Sequence, residues 1–221
     1  MKRKNPLANG ETYHIFSKSI AEFKIFNSDT DYQRMLNLIK YYQIEKPPEK
    51  FSRFIQSEPV RIQGFANYFD FIGRDQKSIV QILAYCLMPT HIHLILKQLS
   101  LNGISIFMSN ILNSYSRFFN TLHHRKGPLW ENKFQNILVE KDEQLLHLTR
   151  YIHLNPVTAF LVEQPDEWLF SSYKEYIQAA SNEVCQYEDM LEIKPNKYIK
   201  FVKDRTSDQR ELAKIKKVIL D

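Results

Sequence analysis

The run from Ala84 to Leu96, Ala-Tyr-Cys-Leu-Met-Pro-Thr-His-Ile-His-Leu-Ile-Leu, restricts this chain more than any other stretch. It reads as two apolar strands joined at Pro89-Thr90, with two histidines opening the second. Side chains alternate across a strand with period two. His91 and His93 therefore share one face, about 7 Å apart along the backbone by strand rise. Ile92, Leu94 and Leu96 point the other way, into a core. Two imidazoles on one face of a central strand half-build a metal site, because neutral imidazole is the commonest protein metal ligand. The same spacing also suits a pair of structural histidines, and the residues alone leave both readings open.

The flanking pattern supplies the rest of a sheet. Tyr13 to Ile20 reads as a first strand. Its His14 approaches the metal site only if its face matches, and a structural role is the simpler expectation. Asp29 or Thr30 can cap a helix from Asp31 to about Ile44, with Tyr32, Met35, Leu36, Ile39 and Tyr42 at helical spacing and Pro47-Pro48 ending it. Residues 49 to 79 are rich in aromatics without clean periodicity and read as an insertion packed on the main domain, partly helical. The aromatics among Arg53, Arg61 and Arg74 could stack nucleic-acid bases, although core packing explains them more simply.

After Leu101-Asn102-Gly103 a helix runs to about His123. Ile104, Phe107, Met108, Ile111, Leu112, Tyr115, Phe118, Phe119 and Leu122 fall in steps of three and four, a strongly amphipathic pattern. That stripe must dock on a sheet. It is expected to hold the Tyr115 hydroxyl against the face that carries His91 and His93, unless Tyr115 is only a core tyrosine with a hydrogen-bond partner. A basic turn, residues 123–128, leads into a strand or extended segment from Leu129 to Val139. Arg125, Lys126 and Lys133 around Trp130 mix charge with stacking surface in a way that suits single strands. Asp142 is expected to cap a helix to about Leu154, ended by Asn155-Pro156. Ser172 and Glu175 have capping-box spacing, and Asp208 to Leu220 reads as a final helix.

In chain order this is strand, helix, insertion, strand, strand, helix, strand, then further helices. That is the βαββαβ plan of an α+β, ferredoxin-like antiparallel sheet with helices on one face and extra C-terminal helices. Residues 1–176 are expected to form one domain with the insertion inside it, and 177–221 a basic helical extension.

Composition agrees with a folded chain. The 221 residues are 43% hydrophobic, with only 5 Gly and 9 Pro and charges of both signs interspersed, which argues against disorder. The basic N-terminus lacks the apolar core of a signal peptide, and no apolar run reaches the length of a membrane span. Cys86 and Cys185 lack metal-ligand spacing and read as reduced thiols of a cytoplasmic protein. The formal net charge is +5. From Lys194 to Asp221 there are nine Lys or Arg against four Asp or Glu, also +5. A basic tail of this kind meets phosphates or simply solvates a helix face.

Five blocks in order resemble the single-tyrosine HUH transposases, most closely the REP-associated tyrosine transposase branch. They are residues 84–93, 114–120 (Ser-Tyr-Ser-Arg-Phe-Phe-Asn), 127–134 (Gly-Pro-Leu-Trp-Glu-Asn-Lys-Phe), 150–156 (Arg-Tyr-Ile-His-Leu-Asn-Pro) and 168–173 (Trp-Leu-Phe-Ser-Ser-Tyr). The resemblance implies an enzyme that nicks and rejoins single-stranded, hairpin-associated DNA through a 5′-phosphotyrosine intermediate, as a monomer or homodimer. His91 and His93 would match the metal-binding histidines, with Mg²⁺ or Mn²⁺ as cofactor. Tyr115 would match the nucleophile. Arg117, Arg125, Lys126, Trp130 and Lys133 would contact DNA. A tyrosine hydroxyl has a pKa near 10 and needs a base or a metal to act at neutral pH. No ATP motif is needed, because the phosphotyrosine link conserves the bond energy.

The chain departs from the family pattern twice. Thr90 stands where Asn often precedes the first histidine. Phe119 stands one helical turn after Tyr115, where relatives commonly place a polar third ligand; Asn120, Glu131 and Glu140 are the candidate substitutes. The competing readings are a non-catalytic nucleic-acid-binding protein that kept the fold, and an RNA-binding sheet of the kind that uses surface aromatics.

Overall fold

The computed structural model describes residues 6–74, 76–180 and 184–206. Four strands form the sheet: β1 (Thr12–Lys18), β2 (Val80–Met88), β3 (His91–Gln98) and β4 (Gln135–Val139). Their order is β2-β3-β1-β4, and every neighbouring pair is antiparallel. This is the ferredoxin-like α+β sheet expected from the element order. The extended segment expected over residues 129–139 forms ladder hydrogen bonds only from Gln135. Before that, Trp130 bridges Ser19, and Glu131 N–H donates to the Lys18 carbonyl.

Register separates the two faces of the sheet. Phe16 lies opposite His93, and His14 opposite Ile95. His14, Phe16, His91 and His93 therefore share one face, while Tyr13, Ile15, Ile92, Leu94 and Leu96 share the other. All five of the latter are buried. Each aliphatic side chain removed from water in this way contributes about 1.5–3 kcal/mol, so this face must carry the main helical layer.

That layer is α1 (Asp29–Tyr42) packed beside α5 (Gly103–Leu122). Leu87 lies opposite Ile92, on the apolar face. Phe170 pairs with Leu87 through the backbone and stacks on Tyr32 of α1 at 4.0 Å between ring centroids. These contacts fix the α1/α5 layer to the face away from the histidines. The start of α1 differs from expectation. Ser28 is the N-cap, with a capping box in which Ser28 Oγ accepts from the Asp31 N–H and the Asp31 carboxylate accepts from the Ser28 N–H, so Asp29 and Thr30 already belong to the helix. Gly103 opens α5 because a Cβ there would collide with the Ile79 carbonyl.

Residues 49–79 form three short helices, α2 (Phe51–Phe54), α3 (Glu58–Gln63) and α4 (Phe65–Gly73). Phe51 and Phe54 pack on Tyr41 of α1 at 5.2 and 4.7 Å, and Phe65 stacks on Phe69. Core packing accounts for these aromatics.

The helix α6 (Asp142–Thr158) lies across the histidine face, contacting β4 and β2. Lys141 is its N-cap position, without a side-chain cap, and Asp142 is its first residue. The helix continues through Pro156 instead of stopping before it. A proline near the C-terminal end costs one ladder bond, and the Asn155 and Pro156 carbonyls are taken by the N–H groups of Ala159 and Leu161. Ser172 starts α7 (Tyr173–Tyr176) without forming a capping box. Its hydroxyl is committed to His153 and to the Tyr85 backbone, and the Glu175 carboxylate accepts from the Val184 and Cys185 N–H groups. The last described helix is α8 (Pro195–Lys203); the helix expected over 208–220 lies outside the described residues. Both cysteines are free and buried. No helix among the described residues is long and apolar enough to cross a membrane.

Candidate active site on the histidine face

His91 opens β3 and is half-buried, whereas His93 is buried. Each has its Nδ1 occupied. His91 Nδ1 lies 3.0 Å from Thr90 Oγ1, and His93 Nδ1 lies 3.0 Å from His14 Nε2. Thr90, one of the two departures from the family pattern, therefore orients a candidate ligand. Both Nε2 atoms are without a hydrogen bond among the described residues. Fixing one ring nitrogen sets the tautomer of the other, which is how a protein orients an imidazole ligand. His14, expected to be structural, joins the site because the β1–β3 register puts it on the same face; its ring stacks on His93 at 5.2 Å.

Burial keeps all three rings neutral. Desolvation lowers His14 from 6.5 to about 4. Desolvation and the Lys18 ammonium outweigh Glu22 and bring His91 to about 4. Desolvation, reinforced by His14, His91 and Lys18, holds His93 well below the ordinary range. Neutral imidazole is the form that ligates metal. Among the described residues no three His, Cys, Asp or Glu side chains converge as a metal site. A cation here would need a ligand of another type beside the two histidines.

Tyr115 is not in this site. It is fully buried, and its hydroxyl donates to the Ile25 carbonyl at 2.6 Å. Its ring neighbours are Phe26, Phe118, Phe119 and Trp130. The α5 stripe docks on the sheet as expected, but on the opposite face. Burial raises the Tyr115 hydroxyl far above its ordinary pKa, which further unsuits it to attack. Phe119 at the next turn is equally buried, so the departure at that position has no bearing on the histidines. Of the substitutes for a third ligand, Asn120 is bonded to Arg125 and to the Gly127 carbonyl, and Glu131 and Glu140 are exposed.

The tyrosine at the histidines is Tyr151 of α6. Its ring centroid lies 6.0 Å from His93 and 6.3 Å from His14, edge-on to both, and it is 44% exposed. Four residues later on the same helix face, Asn155 is buried, and its amide nitrogen has no hydrogen-bond partner. Nitrogen and oxygen of such an amide exchange by a flip, so this group can present an oxygen to an incoming cation. Read from the sequence, Tyr151 is set aside as lying on a later helix and Asn155 is overlooked, although the block 150–156 contains both.

Contacts on either side of Tyr151 fix α6. His153 is fully buried, its Nδ1 2.6 Å from the Tyr198 hydroxyl and its Nε2 2.7 Å from Ser172 Oγ. Arg150 Nη1 donates to the Phe201 carbonyl, and its guanidinium lies 4.0 Å over the Phe201 ring. The described part of the basic tail thus packs on the helix that carries Tyr151.

The expected DNA contacts divide. The Trp130 indole N–H donates to the Leu112 carbonyl, which docks the ring on α5. Lys133 is exposed in the loop before β4. Arg117, Arg125 and Lys126 line a groove on the outer side of α5.

Residues 63–155 match the family model described as Transposase IS200 like, a span that contains His91, His93, Tyr115, Tyr151 and Asn155. Over 110 residues the chain is 27% identical to a Haemophilus influenzae protein named "Putative REP-associated tyrosine transposase", an alignment covering 45% of this chain; the chain spans 62% of that relative's length. Among solved structures it is similar to a REP-associated tyrosine transposase bound to a REP hairpin. That match has a TM-score of 0.51 and 16% identity, and covers 87% of this chain and 98% of the other. The likeness is one of fold.

Proposed function

We propose that this chain, similar in sequence to the IS200-like transposases, is a DNA strand transferase that nicks and rejoins single-stranded DNA beside a hairpin, with Tyr151 as nucleophile. The observation that carries the reading is the seating of Tyr151 edge-on to His93 and His14, with the unpartnered amide of Asn155 one turn further along. His91 and His93 through Nε2, and Asn155 through its amide oxygen, would hold Mg²⁺ or Mn²⁺. Both cations accept oxygen ligands such as an amide oxygen, and neutral imidazole is a common protein metal ligand. When bound, such a cation supplies Lewis acidity to the scissile phosphate.

The Tyr151 oxygen attacks phosphorus, the Tyr151–phosphate bond forms, and the bond from phosphorus to the 3′ oxygen breaks. The phenolic proton reaches water through the exposed side of the ring, and the departing 3′ oxygen takes one up. The DNA 5′ phosphate stays on Tyr151, and attack by a 3′ hydroxyl reverses the step. His14 holds His93 in the tautomer that leaves Nε2 free: His93 Nδ1–H donates to His14 Nε2.

The test uses hairpin oligonucleotides labelled at the 5′ or the 3′ end, with Mg²⁺ or Mn²⁺ and with chelator. A divalent-dependent adduct carrying the 3′-side label, lost in both His91→Ala and His93→Ala, is the expected result. Cleavage that leaves no adduct would point to water as the nucleophile. Undiminished activity in both histidine variants would remove the metal site.

A further inference from the structure

We infer that the outer side of α5 and the turn that follows it bind the phosphate backbone of a DNA duplex, so that the paired stem of the substrate rests there while its single strand reaches the histidine face. The inference rests on the proposed function and adds where the paired part of the DNA docks.

The groove lies on the stripe of α5 opposite Tyr115. Asn113, Ser116, Arg117 and Asn120 follow at helical spacing, and Arg125 and Lys126 continue it into the turn. No lining residue is acidic, and no ion pair among the described residues involves Arg117, Arg125 or Lys126. Every lining side chain offers N–H or O–H donors.

Arg125 is held in place before any ligand arrives. Its Nη1 donates to Asn120 Oδ1 at 3.1 Å and its Nη2 to the Pro128 carbonyl at 2.9 Å, and its guanidinium lies 5.5 Å from the Phe23 ring centroid. Asn120 Nδ2 in turn donates to the Gly127 carbonyl. Gly127 has φ +96°, a conformation that favours glycine and closes the turn. A guanidinium already fixed loses little freedom when it meets a phosphate.

Donors without stacking surface select a backbone over bases. Proteins that grip single strands stack bases on aromatic rings, and no aromatic ring other than His124 lines this groove. Contacts from cations, amides and hydroxyls to phosphate fix register without reading sequence. From Asn113 to Leu122, the end of α5, the helix rises about 13–14 Å, the axial length of about four phosphates on one strand of duplex at about 3.4 Å each.

The groove also opens at the correct end of the sheet. Lys126 is followed closely by Glu131, whose N–H donates to the Lys18 carbonyl, and Lys18 lies opposite His91 in the β1–β3 ladder. A strand leaving a stem in the groove passes Lys18 on its way to His91.

The test compares the wild type with an Arg117→Ala/Lys126→Ala double variant. Dissociation constants are measured from low to physiological salt on a hairpin oligonucleotide and on a stemless strand of equal length. Both substituted residues are exposed, so the fold should persist, and Arg125→Lys offers a gentler check on the fixed guanidinium. The log–log salt slope for the hairpin should become shallower by about 1.8, at about 0.9 for each lost duplex phosphate contact. The stemless slope should not change. Equal flattening on both substrates would assign the groove to single strands, and unchanged slopes on both would remove it from DNA binding. Wild-type protein that bound neither substrate would refute the functional reading itself, and the groove's role with it.

Discussion

Replacing Tyr115 and Tyr151 separately by phenylalanine should separate stability from chemistry. Tyr115→Phe removes a hydroxyl that is fully buried and bonded at 2.6 Å to the Ile25 carbonyl. The loss is the net bond plus the desolvation of a carbonyl left without its donor, together about 2 kcal/mol. For a chain of this size, 1 kcal/mol moves Tm by about 2–4 °C, so Tm should fall by about 4–8 °C. Below the new Tm the yield of covalent DNA adduct should match wild type, because the hydroxyl faces the side of the sheet away from the histidines. Tyr151→Phe alters a ring that is 44% exposed and should cost no more than about 0.5 kcal/mol, yet adduct formation should vanish. Calorimetry gives the first quantity, and denaturing gels of protein with labelled hairpin DNA give the second. Loss of adduct in a Tyr115→Phe protein that is still folded at the assay temperature would refute the assignment of the two faces.

His14→Ala should weaken Mn²⁺ binding by about 10- to 100-fold, since His14 orients a ligand without being one; isothermal titration without DNA reads this directly, and unchanged affinity would return His14 to a structural role. Acid should destabilise the fold. His153 is held at about 3 by burial, and His14 and His91 at about 4, all below the unfolded value of about 6.5. Between that value and their folded pKa values the unfolded chain binds more protons, so stability is complete above about pH 6.5 and falls as pH drops, by roughly 1 kcal/mol per pH unit for each such group. Urea midpoints should therefore hold from pH 7.5 to about pH 6.5 and decline from there to pH 5, and a flat profile over the whole range would contradict the neutral buried histidines.

Much of this architecture could be read from residue patterns. Alternation at residues 91–96 placed the histidines on one face and Ile92, Leu94 and Leu96 on the other. The α5 stripe announced a helix docked on the sheet. A helical stripe does not say which face it docks on, and Tyr115 was expected on the wrong one. Yet Ile92, Leu94 and Leu96 form the apolar face, and a helix with so long an apolar stripe belongs there, so the two readings already conflicted within the sequence. The spacing of Tyr151 and Asn155 supplied the signal that was passed over: a tyrosine followed one turn later by a polar residue, the condition that Tyr115 and Phe119 fail. His14 could not be assigned from its own strand, because its face depends on the long-range pairing of β1 with β3. Pro156 inside α6 and the Ser172 hydroxyl turned toward His153 are cases in which tertiary contacts override a local rule.

Tyr151 is expected to make the covalent bond to DNA. Wild-type protein incubated with hairpin DNA and Mn²⁺, then digested with nuclease and protease, leaves a nucleotide-bearing peptide that tandem mass spectrometry can locate. The modification is expected on Tyr151, in the peptide that also contains His153 and Asn155. A modification on Tyr115 or on any other tyrosine would contradict this assignment.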